Sequence, residues 1–156
     1  MTSQPLNRRG FLTRVAALGL TTALGTTLAP HLARAEWNKA AFDGKSTADA
    51  MKALGASGTA DSADVQILAS DIAENGAVVP VQAVSKVPGT TRIAILVDKN
   101  PSTLAALFDV GPDMVADVTT RIKMGQTSNV TVLVEAGGKY FTATKEIKVT
   151  LGGCGG

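Results

Sequence analysis

Hydrophobic positions change texture twice along the chain. Residues 15–29 are apolar but interrupted by Thr21, Thr22, Thr26 and Thr27. Residues 36–64 are Ala-rich, with Trp37, Phe42, Met51 and Leu54 as their large apolar members. Within them, Ser46-Thr47-Ala48-Asp49 can cap a helix start, and Gly55 is a natural stop after Leu54. This predicts one or two short helices lying across a larger body, followed by a solvated loop over residues 55–64.

From Val65 onward the runs are β-branched. Residues 65–72, 78–84, 91–97 and 103–110 read as strands, closed in turn by Asn75-Gly76, Pro88-Gly89, Asn100-Pro101 and Gly111-Pro112. In residues 116–124, Ala116, Val118, Thr120, Ile122 and Met124 share one parity while Asp117, Thr119, Arg121 and Lys123 share the other. That alternation predicts a strand with one wet face. Residues 130–136 meet residues 139–151 across Gly137-Gly138, a pair that permits the positive φ values of a two-residue hairpin. Phe141, Ala143, Ile147 and Val149 are expected to face inward, and Tyr140, Thr142, Thr144, Glu146 and Lys148 outward. Lys145 falls on the inward parity and predicts a bulge or an edge. Pro80 predicts an edge strand, because it cannot donate a ladder hydrogen bond. About seven strands result. The expected fold is all-β, an immunoglobulin-like antiparallel sandwich over residues 65–151 with short N-terminal helices over 36–64 and a flexible Gly-rich arm over 152–156.

The N-terminal segment changes the reading of charge. Arg8-Arg9 precedes Gly10-Phe11-Leu12, the apolar run follows, and Ala33-Arg34-Ala35 offers a cleavage site. Residues 1–35 are therefore read as an export signal of the twin-arginine type, implying a periplasmic protein exported already folded. The run is short of the ~20 residues a membrane anchor needs. Of 15 basic residues the segment takes four, Arg8, Arg9, Arg14 and Arg34, and it takes none of the 13 acidic ones. The remainder is slightly acidic, so the basic pI belongs to the leader. No Lys/Arg cluster is left to suggest nucleic acid or, after cleavage, a membrane surface. Residues 36–156 make one domain, large enough for a core without staples.

Candidate chemistry is sparse. The one histidine, His31, lies in the leader, which excludes Ser-His-Asp and Cys-His catalysis and most zinc sites from the rest. No catalytic residue, metal or cofactor is expected. Asp61/Asp64, Asp71/Glu74 and Asp113/Asp117 are carboxylate pairs near turns, read as solubilising charges. Asp98-Lys99-Asn100 lacks the later ligands of a calcium loop and is read as a turn. Asn129-Val130-Thr131 matches a glycosylation acceptor and is given no role. Trp37 and Tyr140 are read as core or interface residues. The remaining feature is Cys154, the sole cysteine, in Leu151-Gly152-Gly153-Cys154-Gly155-Gly156. In an oxidising compartment an odd cysteine implies a link to another chain or a reactive thiol. Gly152, Gly153, Gly155 and Gly156 give it a slim, mobile tether. Extended, five residues span about 17 Å. Ordering such an arm costs roughly 5–10 kcal/mol, so it docks weakly and leaves readily, which suits a handle passed among enzymes.

This ending, with ENGAVVPV (74–81), the Asn100-Pro101 turn, TRIKMGQTSNV (120–130) and KEIKVTLGGCGG (145–156), resembles SoxY, the sulfur-carrier family of thiosulfate-oxidising Sox systems. The resemblance implies that Cys154 carries pathway intermediates covalently, that the four glycines form a swinging arm, and that the chain is a carrier rather than an enzyme. It implies a heterodimer with a SoxZ-like subunit. It also implies transient docking to a SoxAX-like c-type cytochrome that oxidatively joins thiosulfate to the thiol, to a SoxB-like thiosulfohydrolase, and in some systems to a SoxCD-like sulfane dehydrogenase. Two other functions fit the tail: an exported structural module that dimerises through Cys154, and a ubiquitin-like carrier activated at Gly155-Gly156. The second needs ATP, which the export signal argues against. Prenylation requires a cysteine one position earlier.

Overall fold

The structure is a computed structural model that describes residues 38–150, all within the unit Glu36–Gly156. Among the described residues two short helices come first, α1 (Lys39–Asp43) and α2 (Thr47–Ala53). Each start is capped as its sequence allows: the Asn38 side chain accepts from Ala41 N–H, and Ser46 Oγ accepts from Asp49 N–H. Gly55, at φ 91°, ends α2. Its N–H donates to Lys52 O and that of Ala56 to Met51 O, which satisfies the last helical carbonyls.

Nine strands follow within the described residues: β1 (Thr59–Asp61), β2 (Val65–Leu68), β3 (Ile72–Ala73), β4 (Val79–Ser85), β5 (Thr90–Val97), β6 (Leu104–Asp109), β7 (Asp117–Ile122), β8 (Ser128–Ala136) and β9 (Lys139–Val149). The larger sheet runs β1-β9-β8-β5-β6, with β3 also on β9, and the smaller runs β2-β4-β7. The expected β-sandwich is what forms. The seven expected strands become nine because two short ones attach to β9, both parallel to it and so outside the antiparallel scheme. β1 lies in the stretch read as a loop. All three of its residues are exposed, so pairing alone defines it and no hydrophobic pattern could announce it. The single run read over 65–72 is two strands on different sheets, β2 against β4 and β3 against β9.

Burial explains why two strands lack alternation. Ile93, Ile95, Val97, Val130, Val132, Val134 and Ile147 face the core between the sheets from the larger one, with Val79, Val81 and Ile122 opposite. From the other faces of β5 and β8, Ala94, Leu96 and Leu133 pack with Leu104 under Ala41, Ala50 and Leu54 of the helical segment. Strands buried on both faces read as continuous apolar runs. β7 keeps one wet face, and its alternation holds as expected.

Three local expectations need correction or refinement. Thr142 is buried, not outward, because β1 covers it and Asp61 accepts its hydroxyl proton at 2.7 Å. Pro80 belongs to the central strand of the smaller sheet, yet β2 reaches only Gln82, so at Pro80 the strand pairs with β7 alone. Its edge character is local. Lys145 causes no bulge: β9 runs in unbroken register along β8. It stands instead where the outer side of β9 is open between the β1 and β3 pairings.

The hairpin is as expected, with Gly137 and Gly138 at φ 56° and 73°. Phe141, Ala143, Ile147 and Val149 pack against the inter-sheet core. Tyr140 turns to the helices, its hydroxyl donating to Leu54 O at 3.2 Å.

Candidate functional site

Arg8, Arg9, Trp37, Cys154 and the glycines Gly152, Gly153, Gly155 and Gly156 lie outside the described residues. What is described is the root from which residues 151–156 depart, the C-terminal end of β9. That root is held on both flanks. On one side Lys148 N–H donates to Asp71 O at 2.9 Å and Thr150 N–H to Ala73 O at 3.1 Å. On the other, Val149 N–H donates to Thr127 Oγ1 at 3.0 Å. The alternation of bonding sides is that of an extended strand, maintained to the last described residue.

Segments far apart in sequence converge here. Met124 N–H donates to Gly76 O at 2.7 Å. A side chain at Gly76 would collide with the Met124 carbonyl and come within 2.8 Å of Val149 Cγ1. Glycine is therefore required by the close approach of the Met124 carbonyl and the Val149 side chain. Asn75 Oδ1 accepts from Ala77 N–H at 2.9 Å and fixes the turn leading into β4. Asn100 reaches across from the β5–β6 turn: its amide donates to Lys123 O at 2.6 Å and its oxygen accepts from Gly125 N–H at 3.4 Å. The stretches 74–81, 120–130 and 145–150 and the Asn100-Pro101 turn thus meet at one end of the sandwich.

Charge at the root is local and paired. Lys145 Nζ lies 2.8 Å from Asp71 Oδ1 and donates to Ala69 O at 2.6 Å. The hydrogen bond from Lys145 and its positive charge, with help from Lys148, hold the Asp71 carboxyl below the ordinary carboxylate range. Beside β3 lies a groove of about 340 Å³ lined by Leu68, Ile72, Ala73, Val78 and Pro80. Leu68, Ile72 and Val78 are about half exposed there.

The carboxylate pairs do not act as pairs. Asp61 accepts from Thr142, Asp71 is engaged by Lys145, and Asp117 accepts both amide contacts from Gln82. Asp98 sits in a turn, as expected, accepting from Thr47 and Asn129. Among the described residues there is no group of three His, Cys, Asp or Glu that could hold a metal ion. Nor is any described helix long and apolar enough to cross a membrane. Sequence reasoning singled out Lys145 only as an irregularity, and it missed Thr127, Ala73 and the clasp of Asn100. Their roles depend on backbone partners distant in the chain, which leave no local pattern.

Comparison with known proteins gives the following. A protein-family model described as "Sulfur oxidation protein SoxY" matches residues 50–154, a span whose last residue is Cys154. The solved structure of the sulfur carrier protein SoxY from Chlorobium limicola f thiosulfatophilum is similar at 42% identity and a TM-score of 0.59. The match covers 65% of this chain and 92% of that one. Superoxide reductase (neelaredoxin) from Ignicoccus hospitalis is similar at 15% identity and a TM-score of 0.51, covering 55% of this chain and 80% of its own, a likeness of fold alone. A search of curated proteins returned no match.

Proposed function

The chain belongs to the SoxY family of sulfur oxidation proteins, and from that premise we propose that it is a periplasmic sulfur carrier rather than an enzyme, with Cys154 as the covalent attachment point. The reading rests on β9 being anchored on both flanks up to Thr150, four residues before the only thiol of the chain. A firm root with a short glycine tether beyond it lets a cargo enter narrow active sites while the carrier body stays outside. Residues 1–35, with Arg8 and Arg9, are the twin-arginine export signal in this reading.

The chemistry needs little from the carrier itself. The thiolate is the nucleophilic form, and an exposed cysteine with a pKa near ~8.5 is partly ionised at neutral pH. Oxidative coupling joins the Cys154 sulfur to the outer sulfur of thiosulfate and passes two electrons to the SoxAX-like cytochrome. Hydrolysis of the sulfur–sulfonate bond by a SoxB-like enzyme then releases sulfate and two protons and leaves a persulfide anion on Cys154. Where a SoxCD-like dehydrogenase is present, it oxidises that sulfane sulfur before a second hydrolysis. Acids, bases and metals come from the visiting enzymes. A SoxZ-like subunit completes the carrier as a heterodimer.

The test is intact-mass analysis of the exported protein after incubation with thiosulfate and the partner enzymes, with and without reductant. Thiosulfonate and persulfide adducts are expected on Cys154 and should vanish in Cys154→Ser, whose thermal unfolding should match the wild type. A thiocarboxylate on Gly156 would point to the ubiquitin-like mode, and cross-linked dimers without adducts to a structural clasp.

A further inference from the structure

We infer that Lys145 is a positioning residue for the carrier arm, acting by holding β3 against the last residues of β9. The inference deepens the carrier reading and rests on it for its catalytic consequence, though not for its structural one.

Lys145 occupies an inward position of β9 between Ala143 and Ile147, both packed on the inter-sheet core. A lysine there must carry its ammonium past apolar neighbours to a polar partner. It finds two on one segment: Ala69 O at 2.6 Å and Asp71 Oδ1 at 2.8 Å. That segment is the crossover by which the chain leaves β2 in the smaller sheet and enters β3 in the larger. β3 is only two residues long, too short to persist by its own pairing. Yet it and its flanks supply the acceptors for Lys148 and Thr150. The Lys145 grip begins at Ala69 and ends at Asp71, immediately before β3. One side chain of β9 therefore fixes the strand that fixes the end of β9.

The two partners differ in worth. Asp71 is largely exposed, with a side-chain relative accessibility of 84%, and an ion pair to such a group contributes little. The bond to the Ala69 carbonyl is part-buried and a charge-assisted one is about twice as strong as a neutral one. Removing the ammonium should thus matter more than neutralising the carboxylate. The Thr127 contact lies on the opposite flank of β9 and is independent of Lys145, so loss of the ammonium should loosen one side of the root only.

The experiment compares amide hydrogen exchange in the mature carrier and in Lys145→Met, Lys145→Arg and Asp71→Asn. Lys145→Met should accelerate exchange at Lys148 and Thr150 at least tenfold. Val149, which donates to Thr127, and the β8 amides of Val132 and Val134 should stay within about twofold. Lys145→Arg, which can reach the same acceptors, should restore slow exchange, and Asp71→Asn should have the smaller effect. With the arm loaded as thiosulfonate, Lys145→Met should raise KM for hydrolytic sulfate release several-fold and leave kcat within about twofold. Unchanged exchange at Lys148 and Thr150, or acceleration of all strands together, overturns the inference. So does a selective loosening of the root with no change in KM, which would make Lys145 a structural staple only. If Cys154 takes no adduct in any of these proteins, the carrier reading fails on its own account and the exchange pattern still decides whether Lys145 holds the root.

Discussion

Replacing Gly76 with alanine is the sharpest test of the close approach at the C-terminal end of β9. The backbone there lies outside the left-handed region, so alanine meets no torsional penalty. The whole effect must come from contact. Its methyl would overlap the Met124 carbonyl oxygen and stand 2.8 Å from Val149 Cγ1. Neither neighbour can yield easily, since Met124 N–H is bonded to Gly76 O and Val149 is held by Thr127. Overpacking of this kind costs about 1–3 kcal/mol, and stretching the Met124–Gly76 hydrogen bond adds about 0.5–1.5 kcal/mol. The expected loss is roughly 2–4 kcal/mol, a large share of the ~5–15 kcal/mol that holds a domain together. At about 4 °C per kcal/mol for a domain of this size, the melting temperature should fall by roughly 8–16 °C. A thermal melt followed by circular dichroism measures the shift, and urea unfolding measures the loss, with an unchanged m-value showing that stability alone has moved. Gly58→Ala is the control, because nothing lies within 4 Å of its added methyl, and it should stay within about 0.5 kcal/mol. If Gly76→Ala melts within about 2 °C of the wild type, the Met124 carbonyl and the Val149 side chain do not close on Gly76 as described.

Other consequences can be measured separately. Asp71 should titrate by NMR below the ordinary value of about 3.9, and Lys145→Met should bring its midpoint back up. Because the folded value is the depressed one, the contact contributes fully above the unfolded value and is lost as pH falls through the folded midpoint. Tyr140→Phe removes the bond to Leu54 O at the end of α2 and should cost about 0.5–1.5 kcal/mol in urea unfolding. Asn100→Ala breaks the tie to Lys123 O and Gly125 N, leaves both groups to find water, and should cost about 1–3 kcal/mol in the same assay.

What could be read in advance follows from where the information sits. β7 was legible because its residues alternate between core and water. The hairpin was legible because Gly137 and Gly138 are needed for its φ values. The helix α2 announced itself through Ser46 and Gly55. β5 and β8 could be seen as strands, but their second buried face depends on Ala94, Leu96 and Leu133 meeting helices from elsewhere in the chain. β1 and β3 could not be seen at all as strands on β9. Thr59–Asp61 buries nothing, and of β3 only Ala73 is buried while Ile72 is half exposed, so neither carries a strand pattern and both are defined by pairing with residues far along the chain. The site divides the same way. Cys154 stands out as a chemical singularity, whereas Thr127, Ala73 and Asn100 act through backbone partners that composition does not mark. Lys145 gave the one usable hint, a charge on the wrong parity.

The two short parallel strands on β9 have a consequence for how such a molecule lives among its neighbours. A sheet border with free amides and carbonyls is adhesive toward any extended peptide it encounters. On β9 that border is covered at Tyr140–Thr142 and again at Lys148–Val149, and the interval between is guarded by the tethered ammonium of Lys145. Along β9 itself, little of the rim is therefore left open to an incoming extended peptide.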